Sequence, residues 1–395
     1  MAKIYLDYAA TAPIRPEINK LVKSLLSQKF GNPSSIHSFG REVRELIDNA
    51  RENLAKFLNC TSQEIIFTSG GTEANNLAIK GVVSGFKDKI DLPHIITTKI
   101  EHHSVLHVCQ SLEKSRKTEV TYLDVDKNGL IDSSEVKKAI KPNTILISIM
   151  YANNEVGTIE PIRQIGKMIE KLNRRREQII YFHTDAIQAG HYLKCDTKYL
   201  HVDLLTISGH KLGSLKGAGA LFVKKNTPLA PQIIGGAHEY NLRAGTENTL
   251  GIITLGEAVK FANNIKEVKK IQKLRNYLEK KILKDIPSVE PNGHLIKRLP
   301  NITNLNFKYV EGESILLNLD LKGIAVSTGS ACTSGSLEPS HVIMAMHECP
   351  KRAHGSIRFS LGWKTTKKNI DYVIKTLPKI IKRLRKISPF GKKEY

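Results

Sequence analysis

Short runs of β-branched and aliphatic residues alternate with longer amphipathic stretches as far as about residue 258, and this alternation limits the possible folds more than any other feature. The runs that fit buried strands are 65–67, 94–98, 119–122, 144–150, 179–183, 204–207 and 220–223. Between them, the spacing of apolar residues predicts helices over 73–84, 104–114, 133–139 and 162–174. Alternation of strand and helix predicts an α/β fold, in which a large and mostly parallel sheet carries helices on both faces.

The pattern changes after residue 258. A long charged stretch over 255–286 predicts one helix, strands follow near 301–307 and 324–327, and helical patterns close the chain. This order predicts a smaller α+β domain, joined by the N-terminal segment. The predicted division is a large domain over 15–258 and a small domain over 1–14 and 259–395, with a cysteine-bearing loop at about 326–340.

Composition excludes several classes of protein. With 395 residues and 41% hydrophobic content, the chain can bury a large core. No apolar stretch approaches the ~20 residues of a membrane span, so no membrane association is expected. The formal net charge of +22 would suit an anionic partner, but lysine and arginine are scattered over the whole length, which argues against direct binding of nucleic acid.

The cysteines and histidines indicate neither a disulfide framework nor a metal site. Five cysteines are odd in number and widely spaced, without a CxxC pair. Such usage fits a reducing compartment, and we expect the cytoplasm. His103 and His107 are four residues apart and could pair as metal ligands on a helix, but no third ligand accompanies them, so no metal is expected.

Lys211 is the first candidate for chemistry. It follows the predicted strand 204–207 after the turn Ser208-Gly209-His210. A lysine at a strand exit can be partly desolvated, which frees its amine for Schiff-base chemistry. Most lysines are solvated surface residues, so the position alone gives weak support.

Polar residues follow other predicted strands, and the carboxyl edge of a parallel sheet would gather them into one crevice. Gly71 and Thr72 open a helix after the strand 65–67, which fits either a phosphate site or a tight turn with Thr72 as the cap. His102 also lies between a strand and a helix, where it could stack on a flat ring or act as a cap.

Residues with amide and carboxylate side chains follow two of the predicted strands. Asn154 follows the strand 144–150, and Asp185 and Gln188 follow the next strand. Because buried carboxylates are rare unless they are paired, Asp185 needs a cationic partner. A protonated pyridine nitrogen is one such partner, as in enzymes that use pyridoxal phosphate (PLP) as an electron sink.

Residues 124–135 match the EF-hand calcium-loop pattern at every key position. An EF-hand needs a helix on both sides, whereas the preceding segment 118–123 is β-branched and strand-like. We therefore expect a surface turn in which Asp132 or Ser133 caps a helix.

Three further candidates lie in the later part of the sequence. Cys332 lies in a run of small polar residues, where a thiolate can be exposed and reactive, although most cysteines are inert core residues. Arg358 stands in an apolar, strand-like run, and a buried guanidinium there suits bidentate capture of a carboxylate. Thr246 ends a polar connector that fits either a second phosphate contact across a dimer or a plain loop.

Taken together, these residues resemble the PLP-dependent cysteine desulfurases of the NifS/IscS group. The resemblance extends from residues 5–11 through 30–35 to 388–389, nearly the whole chain. It implies a PLP-dependent transferase of fold type I that forms a homodimer. One departure is local: the family usually has Tyr-Gly-Pro-Lys-Gly soon after the lysine, where this chain has Gly-Ser-Leu-Lys-Gly at 213–217.

The resemblance also implies a role for each candidate residue. Lys211 would hold PLP, Asp185 would pair with the ring nitrogen, and His102 would stack on the ring. Either Lys211 or His102 could then move protons at Cα and at the leaving sulfur. Cys332 would attack the substrate sulfur. The other cofactor contacts would be Gly71, Thr72, Asn154, Gln188, Ser208 and His210, with Thr246 from the other subunit, and the substrate carboxylate would go to Asn32 and Arg358.

The implied reaction converts L-cysteine to L-alanine and leaves a persulfide on the enzyme. The implied acceptor is an iron–sulfur scaffold or another sulfur-acceptor protein, in iron–sulfur cluster assembly or tRNA thiolation. Two alternatives stay open at this point. One is another enzyme of the same fold, such as a selenocysteine lyase or an aminotransferase, and the other is an inactive PLP-fold scaffold or RNA-binding protein.

Overall fold

The computed structural model describes residues 3–87, 89–328 and 338–388. Within them the strands are β1 (Ile4–Tyr5), β2 (Ile65–Thr68), β3 (His94–Thr98), β4 (Glu119–Leu123), β5 (Thr144–Ser148), β6 (Tyr181–Asp185), β7 (Leu204–Ser208), β8 (Gly219–Val223), β9 (Val289–Asn292), β10 (Ile302–Phe307), β11 (Ile324–Ala325) and β12 (Ser356–Ser360).

The helices of the described residues lie between and after these strands. They are α1 (Pro16–Leu25), α2 (Ser38–Leu58), α3 (Gly71–Gly85), α4 (His103–Lys114), α5 (Ser133–Lys138), α6 (Ile162–Asn173), α7 (Thr197–Leu200), α8 (Gly209–Leu212), α9 (Thr249–Ala258), α10 (Ile265–Asp285), α11 (Gly312–Asp320), α12 (His341–His347), α13 (Pro350–His354) and α14 (Lys367–Ile387). None of the helices in this part of the chain is long and apolar enough to cross a membrane.

A seven-stranded sheet forms the centre of the fold, in the order β2-β8-β7-β6-β5-β3-β4. Only β8 runs against its neighbours, and the pairs from β7 to β4 are all parallel. The central strands β5 and β7 are buried along their whole length, as strands covered on both faces must be. Each predicted strand of the first part has its counterpart here, so the predicted α/β fold with a mostly parallel sheet is confirmed.

Two smaller sheets bring the chain ends together. β1 pairs in parallel with β11, and the antiparallel sheet β12-β10-β9 lies next to it through a bridge between Asp7 and Ser360. A separate hydrophobic cluster surrounds these strands, to which Ile4 and Leu6 contribute together with residues of α10, α11 and α14. The predicted limits at 15–258 and 259–395 stay a prediction.

The prediction of one helix over 255–286 is wrong. α9 ends at Ala258, a 3-10 turn spans Val259–Phe261, and α10 begins at Ile265. The break has a local cause: Asn263 adopts a left-handed φ of 58°, and the side chain of Asn264 accepts a hydrogen bond from the Glu267 amide to cap the new helix. Asparagine suits both conformations, and helical periodicity alone did not reveal the turn.

The stretch that matches a calcium loop is a capped turn. Strand β4 enters it, and Asp132 caps α5 by accepting from the Ser134 amide at 2.8 Å. Asp126 holds the turn through bonds from the amides of Asn128 and Leu130. The expected surface turn is therefore confirmed, with Asp132 as its cap.

Candidate active site

A pocket of about 290 Å³ lies at the carboxyl edge of the large sheet, where the small sheets meet it. Strands β2, β3, β5, β6 and β7 all end at this edge, and Arg358 reaches it from β12. The lining residues are Ala9, Ala10, Gly71, Thr72, His102, Ser104, Met150, Ala152, Asn154, Asp185, Ile187, Gln188, Ser208, His210, Lys211 and Arg358. Such an edge is where ligands bind in folds of this class.

Lys211 stands at the exit of β7, in the single turn of α8. Its Nζ donates to the backbone oxygens of Ala9 and Ala10, the second at 2.7 Å. Gly213 ends the turn with a left-handed φ of 84°, and a Cβ added there would lie 2.7 Å from the ring of Trp363. The glycine is therefore required where this chain departs from the family pattern.

Asp185 is the buried carboxylate of the pocket, 5% exposed at the end of β6. Burial raises its pKa, while bonds from the Ile187 amide and the Asn75 side chain and the charge of Lys211 oppose that rise. Asn75 Nδ2 donates to Oδ2 at 2.7 Å, and the Ile187 amide donates to Oδ1 at 2.9 Å. Both oxygens thus accept from neutral donors, which leaves the negative charge available to a cation in the pocket.

His102 caps the N-terminus of α4. Its Nδ1 lies 2.8 Å from Ser104 Oγ and accepts from the Ser104 backbone amide at 3.1 Å. Burial, followed by the nearby charge of Lys211, lowers the pKa of His102 to about 4. The imidazole is therefore neutral near pH 7.

The N-terminus of α3 lies at one end of the pocket. Gly71 and Thr72 open this helix, so its first backbone amides point toward the pocket edge. A second cavity of about 500 Å³ adjoins the pocket and shares Gly71, Thr72, Ser208 and His210 with it. A Cβ at Gly71 would lie 2.1 Å from the Ile187 side chain, so glycine keeps this end open.

Arg358 presents a buried guanidinium to the pocket. Only 3% of the residue is exposed; Nη1 donates to the Asn154 backbone oxygen at 2.8 Å and Nη2 to Asp7 Oδ1 at 2.8 Å. Its Nε is buried and has no hydrogen-bond partner among the described residues. An arginine held in this way suits the capture of a carboxylate.

Two predicted residues lie outside this pocket, and a third is not among the described residues. Asn32 and Thr246 are exposed and lie outside the pocket lining of this chain, and Asn32 Oδ1 accepts from the Ser34 amide instead. Cys332 falls outside the described residues. All other predicted site residues line the pocket, and their roles stay predictions.

Sequence reasoning missed Asn75 and Ser104. Asn75 Nδ2 bonds both Asp185 and Ser104 Oγ, and Ser104 in turn contacts His102. A polar residue at a buried helix position was the available signal, since Asn75 lies between Ala74 and residues that pack into the core.

The residues present fit pyridoxal phosphate. The buried Asp185 carboxylate suits a ring nitrogen that carries a proton, and a flat ring suits the side chain of His102. The helix N-terminus at Gly71 and Thr72, with the adjoining cavity, suits a phosphate group. Lys211 lines the same pocket and carries the amine that this cofactor requires.

Comparison with known sequences gives full-length matches. Residues 4–373 match the model of the family described as aminotransferase class-V. A cysteine desulfurase IscS of Dictyoglomus turgidum is 52% identical over 390 residues, which cover 98% of this chain and 97% of that protein. A cysteine desulfurase IscS of Methanosarcina thermophila is 47% identical, over 99% of this chain and 95% of that protein.

Comparison with solved structures agrees. A NifS-like protein superposes with a TM-score of 0.89 at 32% identity, over 97% of this chain and all of that chain (100%). A NifS-like protein from Rickettsia africae gives a TM-score of 0.85 at 34% identity, over 96% of this chain and 100% of that chain. Both similarities cover nearly the whole chain.

Proposed function

Because this chain belongs to the aminotransferase class-V family, we propose that it is a PLP-dependent cysteine desulfurase, which converts L-cysteine to L-alanine and transfers the sulfur to an enzyme cysteine. One observation carries the proposal: an amine, a buried carboxylate, an imidazole and a guanidinium line one pocket, as Lys211, Asp185, His102 and Arg358. The full-length relatives named cysteine desulfurase favour this reaction over the lyase, aminotransferase and inactive-scaffold alternatives.

In this proposal each pocket residue contacts a different part of the cofactor. Lys211 would hold the aldehyde group, Asp185 would pair with the ring nitrogen, and His102 would stack on the ring. The phosphate is held by the start of α3 and by the turn after β7. The contacts are Gly71, Thr72, Ser208 and His210, with Asn154 and Gln188 at the ring substituents and Thr246 of a second subunit at the phosphate.

When bound, PLP stores the electron pair released at the substrate Cα and thereby allows the bond from Cβ to sulfur to break. Arg358, with Asn32, binds the substrate carboxylate and fixes its orientation. Lys211 moves the proton at Cα. The thiolate of Cys332 attacks the substrate sulfur: a sulfur–sulfur bond forms, and the bond from Cβ to sulfur breaks. Its electron pair stays with Cβ, which takes up one proton, matching the one that the substrate thiol gives up, and becomes the methyl group of alanine.

The proposal extends to partners and location. A homodimer would bring Thr246, which is exposed on this chain, to the phosphate of the other subunit. The persulfide would go to an iron–sulfur scaffold or to another acceptor protein of tRNA thiolation. The described cysteines, which are all free thiols, fit a reducing compartment, and the proposed location is the cytoplasm.

The first experiment is an absorbance spectrum of the purified protein, followed by addition of L-cysteine. A yellow protein that makes alanine and, with a thiol reductant, sulfide in equal amounts supports the proposal. L-alanine and L-selenocysteine serve as comparison substrates, since a yellow protein that acts only on selenocysteine would be a lyase. A protein that binds no PLP on reconstitution would contradict the proposal, because Lys211 would then not hold the cofactor.

A further inference from the structure

A single side-chain amide connects the carboxylate and the imidazole of the site. Asn75 is fully buried in α3, and its Nδ2 donates to Asp185 Oδ2 at 2.7 Å and to Ser104 Oγ at 2.8 Å. Both hydrogens of the amide nitrogen are thus in use. Neither Asn75 nor Ser104 has a part in the proposed reaction, although each lies next to a residue that does.

The carboxylate fixes the orientation of that amide. If the Asn75 amide were reversed, its oxygen would face the Asp185 carboxylate oxygen, and two acceptors would meet in a buried place. In the observed orientation Asn75 Oδ1 is buried without a hydrogen-bond partner among the described residues. The protein thus accepts one unpaired oxygen in order to direct both N–H groups, one at Asp185 and one at Ser104.

The direction of the next bond follows. Ser104 Oγ accepts from Asn75, so its own hydrogen is available for His102 Nδ1 at 2.8 Å. The Ser104 backbone amide, which can only donate, points at the same nitrogen from 3.1 Å. Two donors therefore point at Nδ1. A hydrogen on Nδ1 would clash with the hydrogen of the backbone N–H, because both would lie between the same two nitrogens.

We propose that Asn75 and Ser104 are positioning residues that hold His102 as the neutral tautomer with its hydrogen on Nε2. The unprotonated nitrogen then faces Ser104 and is engaged there. His102 can donate a hydrogen bond from Nε2, but it has no basic nitrogen to offer a substrate. The proposal therefore assigns the proton transfer at Cα to Lys211 and not to His102.

The tautomer is tested by NMR on protein with ¹⁵N-labelled histidine, with and without PLP. Long-range ¹H–¹⁵N correlations show which ring nitrogen of His102 carries the hydrogen, and a His102→Gln sample assigns the signals. We expect hydrogen on Nε2 only. In Ser104→Ala the ratio of the two tautomers should change by about tenfold, the effect of one hydrogen bond, and Ser104→Thr, which keeps the hydroxyl, should restore it.

Two matched variants control for general effects. Ser111→Ala removes an exposed serine from the same helix α4, and Asn76→Ala removes the amide next to Asn75. Both should leave the His102 signals unchanged, whereas Asn75→Ala should change them. Hydrogen on Nδ1 in the unaltered protein, or identical His102 signals in Ser104→Ala, would overturn the proposal.

The conclusion that His102 does not move the Cα proton rests on the proposed function, and it is tested by a separate measurement. Because His102 takes no proton from the substrate in this proposal, the acid limb of the pH profile of kcat/KM should keep its position in His102→Gln, a variant that cannot titrate there, even where the rate falls. Loss of the acid limb in His102→Gln would overturn the catalytic consequence, because it would show that His102 is the base. A protein without desulfurase activity would contradict the proposed function, while the NMR result would still decide the tautomer.

Discussion

The guanidinium of Arg358 donates to the backbone oxygen of Asn154 at 2.8 Å, which ties the last strand of the small sheet to the loop after β5 in the large sheet. The same guanidinium also bonds Asp7 from the N-terminal segment. One side chain thus fixes three distant parts of the chain at the pocket, and its buried Nε still lacks a partner in the described structure.

Replacing Arg358 with lysine should impair substrate binding more than cofactor binding. A lysine cannot bond two groups at fixed angles, so we expect kcat/KM for L-cysteine to fall about a hundredfold or more, since loss of one partner of a buried charge pair costs about 2–5 kcal/mol. The PLP absorbance should persist. Steady-state kinetics measure the effect, with the exposed Arg116→Lys as the control. An unchanged KM and kcat would show that the carboxylate binds elsewhere.

Cys332→Ser should separate cofactor binding from sulfur transfer. The variant keeps the pocket residues, so its absorbance with PLP should equal that of the unaltered protein. Because a serine hydroxyl does not accept sulfur, alanine and sulfide formation should be lost. Cys349→Ser is the matched control, since Cys349 is a half-buried free thiol outside the pocket. Sulfide release at the original rate would remove Cys332 from the mechanism.

Gly71→Ala should weaken PLP binding, and the chain offers a compensating change. The new methyl group would lie 2.1 Å from Ile187 Cδ1 and 3.2 Å from its Cγ1, so Ile187 must move within the pocket. Overpacking of this kind costs about 1–3 kcal/mol, and we expect roughly tenfold weaker binding of PLP. Ile187→Val removes Cδ1 and should restore part of the affinity in the double variant. Spectrophotometric titration of the cofactor-free protein gives the constants, and equal affinity for the single variant would refute the expectation.

Glu239→Gln should destabilise the fold through its buried partner Arg51. Glu239 accepts from Arg51 Nη1 and Nη2 at 2.8 and 2.7 Å and from the Phe67 amide at 2.9 Å. Removing one charge of a buried pair costs about 3–5 kcal/mol, because the other stays buried. Urea unfolding measures the loss. The exposed pair of Lys56 and Glu52 is the control, since Glu52→Gln should change the free energy of unfolding by at most ~0.5 kcal/mol.

The fold should lose stability in weak acid through its buried histidines, and His183 offers the cleanest test. Burial lowers its pKa from 6.5 to about 3, so between these values the unfolded chain binds a proton that the folded chain does not. The free energy of unfolding therefore falls as the pH falls, by about 2 kcal/mol per such group between pH 7 and 5.

His183→Gln removes that titration and should give a shallower decline with acid, whatever its stability at pH 7. Its amide can still bond Ser148 or Thr206, the present partners of the ring. The exposed His354→Gln should keep the original pH dependence. Denaturant unfolding at several pH values decides, and equal slopes for all three proteins would contradict the assignment.

The sequence predicted the large sheet well because each strand is a short buried run with its own local signal. It also predicted which strand ends carry the site, since the carboxyl edge of a parallel sheet collects them regardless of loop detail. Lys211, Asp185 and His102 were found in this way. Their position in one pocket follows from strand order, which the structure supplies.

Contacts that depend on exact geometry could not be predicted. Asn75 meets Asp185 across 110 residues of sequence, and only the seating of α3 against the sheet brings them together. The left-handed Asn263, which ends one helix before the next begins, is also invisible to a periodicity that continues on both sides. Local sequence patterns predict helices and strands, whereas contacts between side chains depend on how those helices and strands pack.

The backbone oxygens of Ala9 and Ala10 that hold Lys211 belong to a segment anchored by β11 and β12. On the ribosome, these first residues emerge long before residues 324–325 and 360, to which they pair. The large sheet can form earlier, but the segment that carries these acceptors is anchored only after β11 and β12 have been made. We therefore expect that a chain cut before β12 leaves the pocket open on the side of the N-terminal segment and binds the cofactor poorly.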